Sequence, residues 1–216
     1  RSAEKHKDHF SEKLSDIIFN GPAETLTLTA NVQPAIMATS IAMLRASGAK
    51  LPEYVAGHSL GEYTALCAAG ALSVGDAAKL LRVRGNAMQS AVPVGHGLTA
   101  VVLGMEIDTL REICDKAGCD VANDNSAGQV VISGAKDAVE SAMAMAKEQG
   151  AKRAMPLALS VPVHCRIQQP AADAMMAALE TGDLLGVADR LGNVFEDVLP
   201  KEFREVYEIK QKLLDL

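Results

Sequence analysis

The chain of 216 residues is 49 % hydrophobic and 22 % charged, a balance typical of a globular domain with a sizeable core rather than of a disordered chain. A net charge of −6, the lack of a basic cluster and an aromatic content of only 3 % argue against nucleic-acid binding. No apolar run reaches membrane-spanning length and the first residues lack a signal-peptide core, so we expect a cytoplasmic protein with no membrane contact.

The first part of the chain predicts two helices. Apolar residues at helical spacing, among them Leu14 and Ile17, predict a helix that ends at Asn20-Gly21-Pro22. A longer apolar helix follows and ends near Gly48. Pro34 is expected in the first turn of that helix, where a missing backbone N–H is harmless.

The next segment has the arrangement of a nucleophile elbow. Tyr54-Val55-Ala56 is strand-like, Gly57-His58-Ser59-Leu60-Gly61 has the pattern Gly-x-Ser-x-Gly, and Glu62 to Ala69 is helical. The glycines allow a sharp turn that leaves the serine exposed at the head of the helix, where free N–H groups stabilise an oxyanion. The alternative is a tight turn with an N-capping serine. Ser59 is therefore the predicted nucleophile.

Residues 97–160 differ in character from the helical segments before them, the last of which is predicted from about Ser73 to Ser90. Strand-like and helical segments alternate there in the order β-α-β-β-α-β, which is the order of a ferredoxin-like unit. Gln129 to Ser133 is predicted to be a buried strand beneath two helices. We interpret this unit as an insert that forms a lid or one wall of a cleft.

A serine hydroxyl needs a base within hydrogen-bond reach, and the chain has five histidines. His164 stands where the chain should return from the insert to the main sheet, and this position favours it as the base; a satisfied core histidine is the alternative. The side chain of His58 should diverge from that of Ser59 on a tight turn, which favours a structural role. The carboxylates of the insert, including Asp120, look solvated, so a Ser–His dyad and a triad both stay open.

Arg84 is unusual because it lies on an apolar-rich helix and is followed by Gly85, which leaves room beside it. A guanidinium in such a place can hold a carboxylate through two parallel hydrogen bonds. The alternative is a solvated helix arginine, and that is our interpretation of Arg82.

These motifs together resemble the malonyl-CoA:acyl-carrier-protein transacylases of fatty acid synthesis, over roughly residues 10–180. The matching segments are Leu14-Ser15-Asp16-Ile17-Ile18-Phe19, Gln33-Pro34-Ala35-Ile36, Gly57 to Tyr63, Arg84 to Gln89, Asn125 to Gly134, and Ser160-Val161-Pro162-Val163-His164-Cys165. The resemblance implies an α/β fold in which an α/β-hydrolase-like large subdomain (1–96 and 161–180) is interrupted by a ferredoxin-like small subdomain (97–160). Residues 181–216 are expected to form a helical tail, which is left unassigned because it could pack on its own domain, cover exposed sheet surface or pair with a partner.

The resemblance also implies an enzyme that moves a malonyl group from CoA to the phosphopantetheine thiol of acyl carrier protein through an acyl-serine intermediate. Ser59 would be acylated, and His164 would be its general base and acid. The substrate-binding residues would be Arg84, Leu60, Gln33 and His58. Within that set, the guanidinium would hold the malonyl carboxylate and the Leu60 N–H would be an oxyanion donor. The partners would be malonyl-CoA and acyl carrier protein, with no metal and no bound cofactor.

Three features depart from the family pattern. The N-terminal Gly-Gln-Gly-Ser-Gln strand-loop, which supplies a second oxyanion donor, is not found, and neither is the family's C-terminal part. Val163 also precedes the histidine where members often carry a small polar or aromatic residue. With Arg1 in place of an initial methionine, these features suggest a truncated enzyme of reduced activity. Two alternatives remain: a silent relative that binds acyl-CoA or carrier protein, and a serine hydrolase or thioesterase.

Overall fold

The computed structural model describes residues 14–50 and 53–180, so the predicted tail 181–216 lies outside the described residues. Helices precede the sheet along the chain. The first helices are α1 (Leu14–Asn20), α2 (Ala23–Thr27), α3 (Thr29–Ser47), α4 (Gly61–Ala68) and α5 (Val74–Ala91). The second group comprises β1 (Gly97–Leu103), α6 (Ile107–Ala117), β2 (Asp120–Ser126), β3 (Gln129–Ala135), α7 (Lys136–Glu148) and β4 (Arg153–Pro156). A short 3-10 turn, Arg166–Gln168, then leads into α8 (Gln169–Glu180).

Helices α3 and α5 pack closely, and this contact forms the centre of the helical part. Their shared core includes Met37, Leu80 and Leu81, none of which is more than 1 % exposed. The two backbones approach closely at Gly85, where a Cβ would lie only 2.4 Å from the Cα of Ala30. A side chain at position 85 would therefore separate the helices and move the residues that they carry.

The prediction for Pro34 was wrong. Helix α3 begins at Thr29, so Pro34 lies inside the helix rather than in its first turn. Proline removes one backbone donor from a helix interior and usually disfavours that position. Here Pro34 is buried, and the helix continues on both sides of it.

The second group of elements folds into a four-stranded antiparallel sheet with the strand order β2-β3-β1-β4. The β-α-β-β-α-β element order predicted from the sequence is the observed order. The predicted burial of β3 is also confirmed, since Val130 to Gly134 are all buried. Apolar residues of the sheet, of α6 and of α7, such as Ile132, Ile113 and Val139, form one core.

The strand predicted at Tyr54-Val55-Ala56 is not present in the structure. These residues belong to no strand, because no described strand lies alongside to exchange backbone hydrogen bonds with them. Tyr54 is 62 % exposed, so the apolar residues that suggested a strand lie on the surface of the described part of the chain. Among the helices described, none is long and apolar enough to cross a membrane.

Candidate active site

The turn that carries Ser59 is sharp, and only glycine fits at its start. A Cβ at Gly57 would lie 1.9 Å from the carbonyl oxygen of Gly61. Ser59 itself has a φ of 56°, a left-handed conformation that non-glycine residues rarely adopt. The Gly61 N–H donates to the His58 carbonyl at 2.9 Å, which closes the turn and starts α4. The N–H of Leu60 has no acceptor among the described residues, so it is available at the helix start.

His164 meets Ser59 across the cleft. Ser59 Oγ and His164 Nε2 are 2.9 Å apart, the distance of a hydroxyl that donates to an imidazole nitrogen. The residue predicted to be the nucleophile, Ser59, and the residue predicted to be its base, His164, are thus within hydrogen-bond distance. His164 also has a left-handed backbone, with a φ of 52°. A capping role for Ser59 is not seen, since the N-cap residue of α4 is Leu60.

Arg84 lies on the other side of the serine. Its Nη2 is 3.4 Å from Ser59 Oγ, and its Nη1 donates to Gln33 Oε1 at 2.5 Å. Among the described residues, Arg84 has no carboxylate within ion-pair distance. Burial lowers the pKa of this guanidinium, while Tyr63 and Glu62 act in the opposite direction. The site therefore holds a partly desolvated cation beside the nucleophile.

Gln33 fixes the direction of that cation. It is only 3 % exposed, and its Nε2 donates to Thr29 Oγ1 at 2.6 Å. This bond leaves Gln33 Oε1 as the acceptor that faces Arg84. The structure thus places Gln33 behind the guanidinium rather than beside Ser59.

Arg82 is not the solvated residue expected from the sequence, because it is hydrogen-bonded to Asn31.

His58 points away from the nucleophile, as expected for a neighbour on a tight turn. Its Nε2 accepts from Asn123 Nδ2 of β2 at 3.0 Å, which links the elbow to the sheet. The rings of His58 and His164 lie 6.2 Å apart. His58, which was predicted to be a substrate-binding residue, therefore lies beside the site and faces β2.

The environment of His164 favours its neutral form. Burial is the largest cause that lowers its pKa, followed by the positive charge of Arg84 and the proximity of His58. Within residues 14–50 and 53–180, no carboxylate is hydrogen-bonded to its ring. The described site is thus a Ser–His dyad with a neighbouring guanidinium.

Comparisons with known proteins identify the family of this chain. The family model described as "Acyl transferase domain" matches residues 1–208. The chain belongs to the acyl transferase domain family. The match runs past residue 180, where the motifs recognised in the sequence ended.

The relatives of this acyl transferase domain carry one recurring name. A malonyl CoA-acyl carrier protein transacylase of Bacillus subtilis is 46 % identical over 212 residues, which are 94 % of this chain and 65 % of that protein. A crystal structure of an acyl-carrier-protein-S-malonyltransferase from Bartonella henselae is 53 % identical, with a TM-score of 0.73 over 82 % of this chain and 60 % of that one. A malonyl-transacylase in complex with a type II PKS acyl-carrier protein is 42 % identical, with a TM-score of 0.76 over 81 % and 59 % of the two chains.

These comparisons confirm the resemblance stated from the motifs. The fold is mixed α/β with a small antiparallel sheet, and its structural neighbours are transacylases of this kind. The chain spans 65 % of the Bacillus protein and smaller shares of the Haemophilus influenzae and Escherichia coli relatives, 55 % and 54 %.

Beside the dyad of this acyl transferase domain lies a cleft of about 680 Å³, lined by Arg84, His164 and Tyr63 together with Asp120 and two methionines of α8. A second cavity of about 590 Å³ lies between α3 and the elbow. This second cavity is lined by His58 and Leu60 of the elbow but by neither Arg84 nor His164, which line the first cleft. No group of three or more His, Cys, Asp or Glu in the described part of the chain could hold a metal ion.

Sequence reasoning missed the residues that support the His164 loop. Thr99 and Ser133, opposite each other on β1 and β3, share a hydrogen bond of 2.9 Å and both accept from the Val163 N–H. Gln168 is 8 % exposed and donates to the Pro162 carbonyl at 2.9 Å. Thr99 and Ser133 could have been noticed in the sequence as polar residues within apolar strands, because buried polar groups need hydrogen-bond partners.

Proposed function

We propose that this chain is the nucleophile-bearing part of an S-malonyltransferase that moves a malonyl group from CoA to acyl carrier protein. The observation that carries the proposal is the Arg84 guanidinium 3.4 Å from Ser59 Oγ with no carboxylate partner among the described residues. The names of the relatives, which include malonyl CoA and acyl carrier protein, support the same substrates.

The position of Arg84 favours a short dicarboxylic acyl group. In a malonyl thioester the carboxylate is one methylene away from the carbonyl carbon that Ser59 attacks, so its counter-charge must stand next to the nucleophile. A guanidinium can hold that carboxylate through two hydrogen bonds. An acetyl group would leave the partly buried cation unpaired, which is unfavourable. Gln33 keeps the fork directed toward the cleft through its bond to Nη1.

The first half-reaction transfers the acyl group to the enzyme. His164 Nε2 takes the proton of Ser59 Oγ as the oxygen attacks the thioester carbonyl, and the carbonyl oxygen becomes an oxyanion. The Leu60 N–H, at the start of α4, donates to this oxyanion. The tetrahedral intermediate then collapses, the C–S bond breaks, and the CoA thiolate leaves with the proton that His164 returns.

The second half-reaction runs the same steps in reverse. The phosphopantetheine thiol of the carrier protein gives its proton to His164, and its sulfur attacks the ester carbonyl of malonyl-Ser59. The C–O bond to Ser59 breaks, and Ser59 Oγ recovers the proton from His164. No metal and no bound cofactor take part in this scheme.

We also propose a two-part architecture for this site. Residues 97–160 would be the ferredoxin-like small subdomain, supported by the strand order β2-β3-β1-β4 and by the packing of α6 and α7 on the sheet. Residues 1–96 and 161–180 would belong to an α/β-hydrolase-like large subdomain, which supplies Ser59, Arg84 and His164. Strand β2 would then form one wall of the cleft.

A transfer assay with labelled malonyl-CoA and holo acyl carrier protein tests the function. The proposal predicts label on the carrier protein with the wild-type chain and none with Ser59→Ala. Label that stays on Ser59 would instead identify a silent relative that is acylated without transfer. Steady release of free malonate would identify a hydrolase or thioesterase, in which water rather than the carrier thiol attacks malonyl-Ser59.

A further inference from the structure

We propose that Asp120 and Arg166 are positioning residues that hold His164 within hydrogen-bond reach of Ser59. The proposal rests on the function proposed above. Asp120 opens β2 and Arg166 follows His164 by two residues. The Asp120 carboxylate accepts two hydrogen bonds from Arg166, from the backbone N–H at 2.8 Å and from Nε at 2.7 Å, and forms an ion pair with Nη2 at 2.6 Å. We call this pair the Asp120–Arg166 latch.

The backbone of His164 explains why a latch is needed. A φ of 52° is unfavourable for a residue with a Cβ, and it persists only where the surrounding structure fixes it. On the side before His164, the Val163 N–H donates to Ser133 Oγ at 3.0 Å. On the side after it, the latch fixes Arg166. His164 is thus held between two anchors, both of which belong to the sheet.

The latch differs from an ordinary surface ion pair. The Asp120 side chain is only 19 % exposed, and although burial acts to raise the pKa of its carboxyl, the hydrogen bonds from Arg166 lower that pKa overall. The chain offers a comparison in Asp108 and Arg111 on α6, whose single bond of 2.9 Å joins side chains that are 87 % and 59 % exposed. Exposed pairs of that kind contribute little. Asp120 also lines the cleft with His164, whereas Asp108 does not.

The expectation from the sequence that Asp120 is solvated was therefore wrong. It also does not serve as the carboxylate of a triad, since its bonds are to Arg166 and not to the His164 ring. The latch acts through the loop: it sets where the imidazole stands, and Ser59 reactivity depends on that placement.

The test measures how fast Ser59 is labelled by two reagents, malonyl-CoA and a small fluorophosphonate. The second needs Ser59 and His164 but carries no carboxylate for Arg84. The variants are Asp120→Ala, Asp120→Asn and Arg166→Gln, with Asp108→Ala as the matched control. Circular dichroism and thermal unfolding show which variants are folded, and Arg166→Gln changes an exposed side chain, so it remains informative if Asp120→Ala does not fold.

We expect Asp120→Ala to lower the maximal labelling rate on the order of tenfold with both reagents, since a small misplacement of a catalytic group is costly. The malonyl-CoA concentration at half-maximal rate should stay within about twofold, because Arg84 is untouched. Arg166→Gln should lose less, since the backbone N–H still reaches Asp120. Asp120→Asn, which keeps an acceptor oxygen, should recover part of the loss. Asp108→Ala should match the wild type.

Two results would overturn the latch. The first is that Asp120→Ala and Arg166→Gln are labelled as fast as Asp108→Ala. The second is a loss of labelling rate with malonyl-CoA but not with the fluorophosphonate, which would mean that Asp120 acts on the substrate. A wild-type chain that reacts with the fluorophosphonate but not with malonyl-CoA would refute the proposed function alone, and the fluorophosphonate series would still decide the latch. A wild-type chain that reacts with neither reagent would refute both.

Discussion

Ser59 and His164 each have a left-handed backbone, with φ of 56° and 52°, and their side chains meet with Oγ and Nε2 2.9 Å apart. Each such conformation costs on the order of 1–2 kcal/mol for a residue with a Cβ. Close packing at Gly57 fixes the first, and hydrogen bonds to Thr99, Ser133 and Asp120 flank the second. The fold thus fixes both strained residues where they can exchange a proton.

The elbow can be tested with its two glycines as a matched pair. Gly57→Ala should abolish labelling of Ser59, because the new Cβ would lie 1.9 Å from the Gly61 carbonyl oxygen and the turn could not close. Gly61→Ala should leave the turn intact, since a Cβ there meets no described atom within 4 Å. Fluorophosphonate labelling of the two variants measures the difference. Equal reactivity would show that the turn is not required.

Arg84 should decide which acyl group is accepted. Arg84→Ala should lower the rate of malonylation of Ser59 roughly 30-fold or more, because the loss of one partner of a desolvated charge pair costs about 2–5 kcal/mol. Acetyl-CoA, which has no carboxylate, should react no more slowly than before. Arg84→Lys should recover only part of the malonyl rate, since an ammonium lacks the planar fork. The ratio of malonyl to acetyl product on Ser59, read by mass, checks this; an unchanged ratio in Arg84→Ala would contradict it.

Gln33 should act through Arg84. Gln33→Glu would place a carboxylate where Oε1 now accepts from Nη1 at 2.5 Å, and this internal ion pair would compete with the malonyl carboxylate. We expect the KM for malonyl-CoA to rise on the order of tenfold with kcat less affected, while acetyl-CoA is unaffected. Steady-state kinetics with both thioesters provide the readout. Equal losses with both would show that Gln33 supports the fold instead.

The pH dependence should report His164. Since burial, Arg84 and His58 lower its pKa, the imidazole should stay neutral, and able to accept the Ser59 proton, to a pH below its usual value of about 6.5. The rate of fluorophosphonate labelling should therefore fall only below that value as the pH decreases. In Arg84→Gln the positive charge that helps to lower the His164 pKa is removed, so the midpoint of the pH profile should move to a higher pH. A midpoint above about 6.5 in the wild type would contradict this assignment.

Helix α5 offers a stability test with two of its own glycines. Gly85→Ala should lower the free energy of unfolding by about 1–3 kcal/mol, the range for overpacking, because its Cβ would lie 2.4 Å from Ala30 Cα. Gly75→Ala should instead raise it by about 0.5–1 kcal/mol, since its Cβ would meet only Ser73 Oγ at 3.8 Å. Urea denaturation measures both changes in the free energy of unfolding, which should have opposite signs. A stable Gly85→Ala would refute the close crossing of α3 and α5.

The sequence predicted the parts of this structure that follow from local patterns. The turn at Ser59 was recognisable because glycines flank a serine ahead of a helix, and the β-α-β-β-α-β order was recognisable because each strand and helix has its own apolar period. The same local reasoning failed at Pro34 and at Tyr54-Val55-Ala56. Helix α3 begins earlier than Pro34 suggested, and no described strand pairs with Tyr54-Val55-Ala56.

Contacts between distant residues could not be predicted in the same way. The hydrogen bond that Arg166 donates to Asp120 joins residues 46 positions apart, and the one that Arg84 donates to Gln33 joins residues 51 apart. No periodicity encodes such pairs, because they depend on how the elements pack. Asp120 looked like a solvated carboxylate for this reason, and only the fold shows that it is paired with Arg166.

The mass of the intact protein after mixing with malonyl-CoA tests the central claim most directly. The account predicts a gain of one malonyl group in the wild type, on Ser59, and no gain in Ser59→Ala. A folded wild-type chain that gains no mass, or a Ser59→Ala chain that gains the same mass, would contradict it.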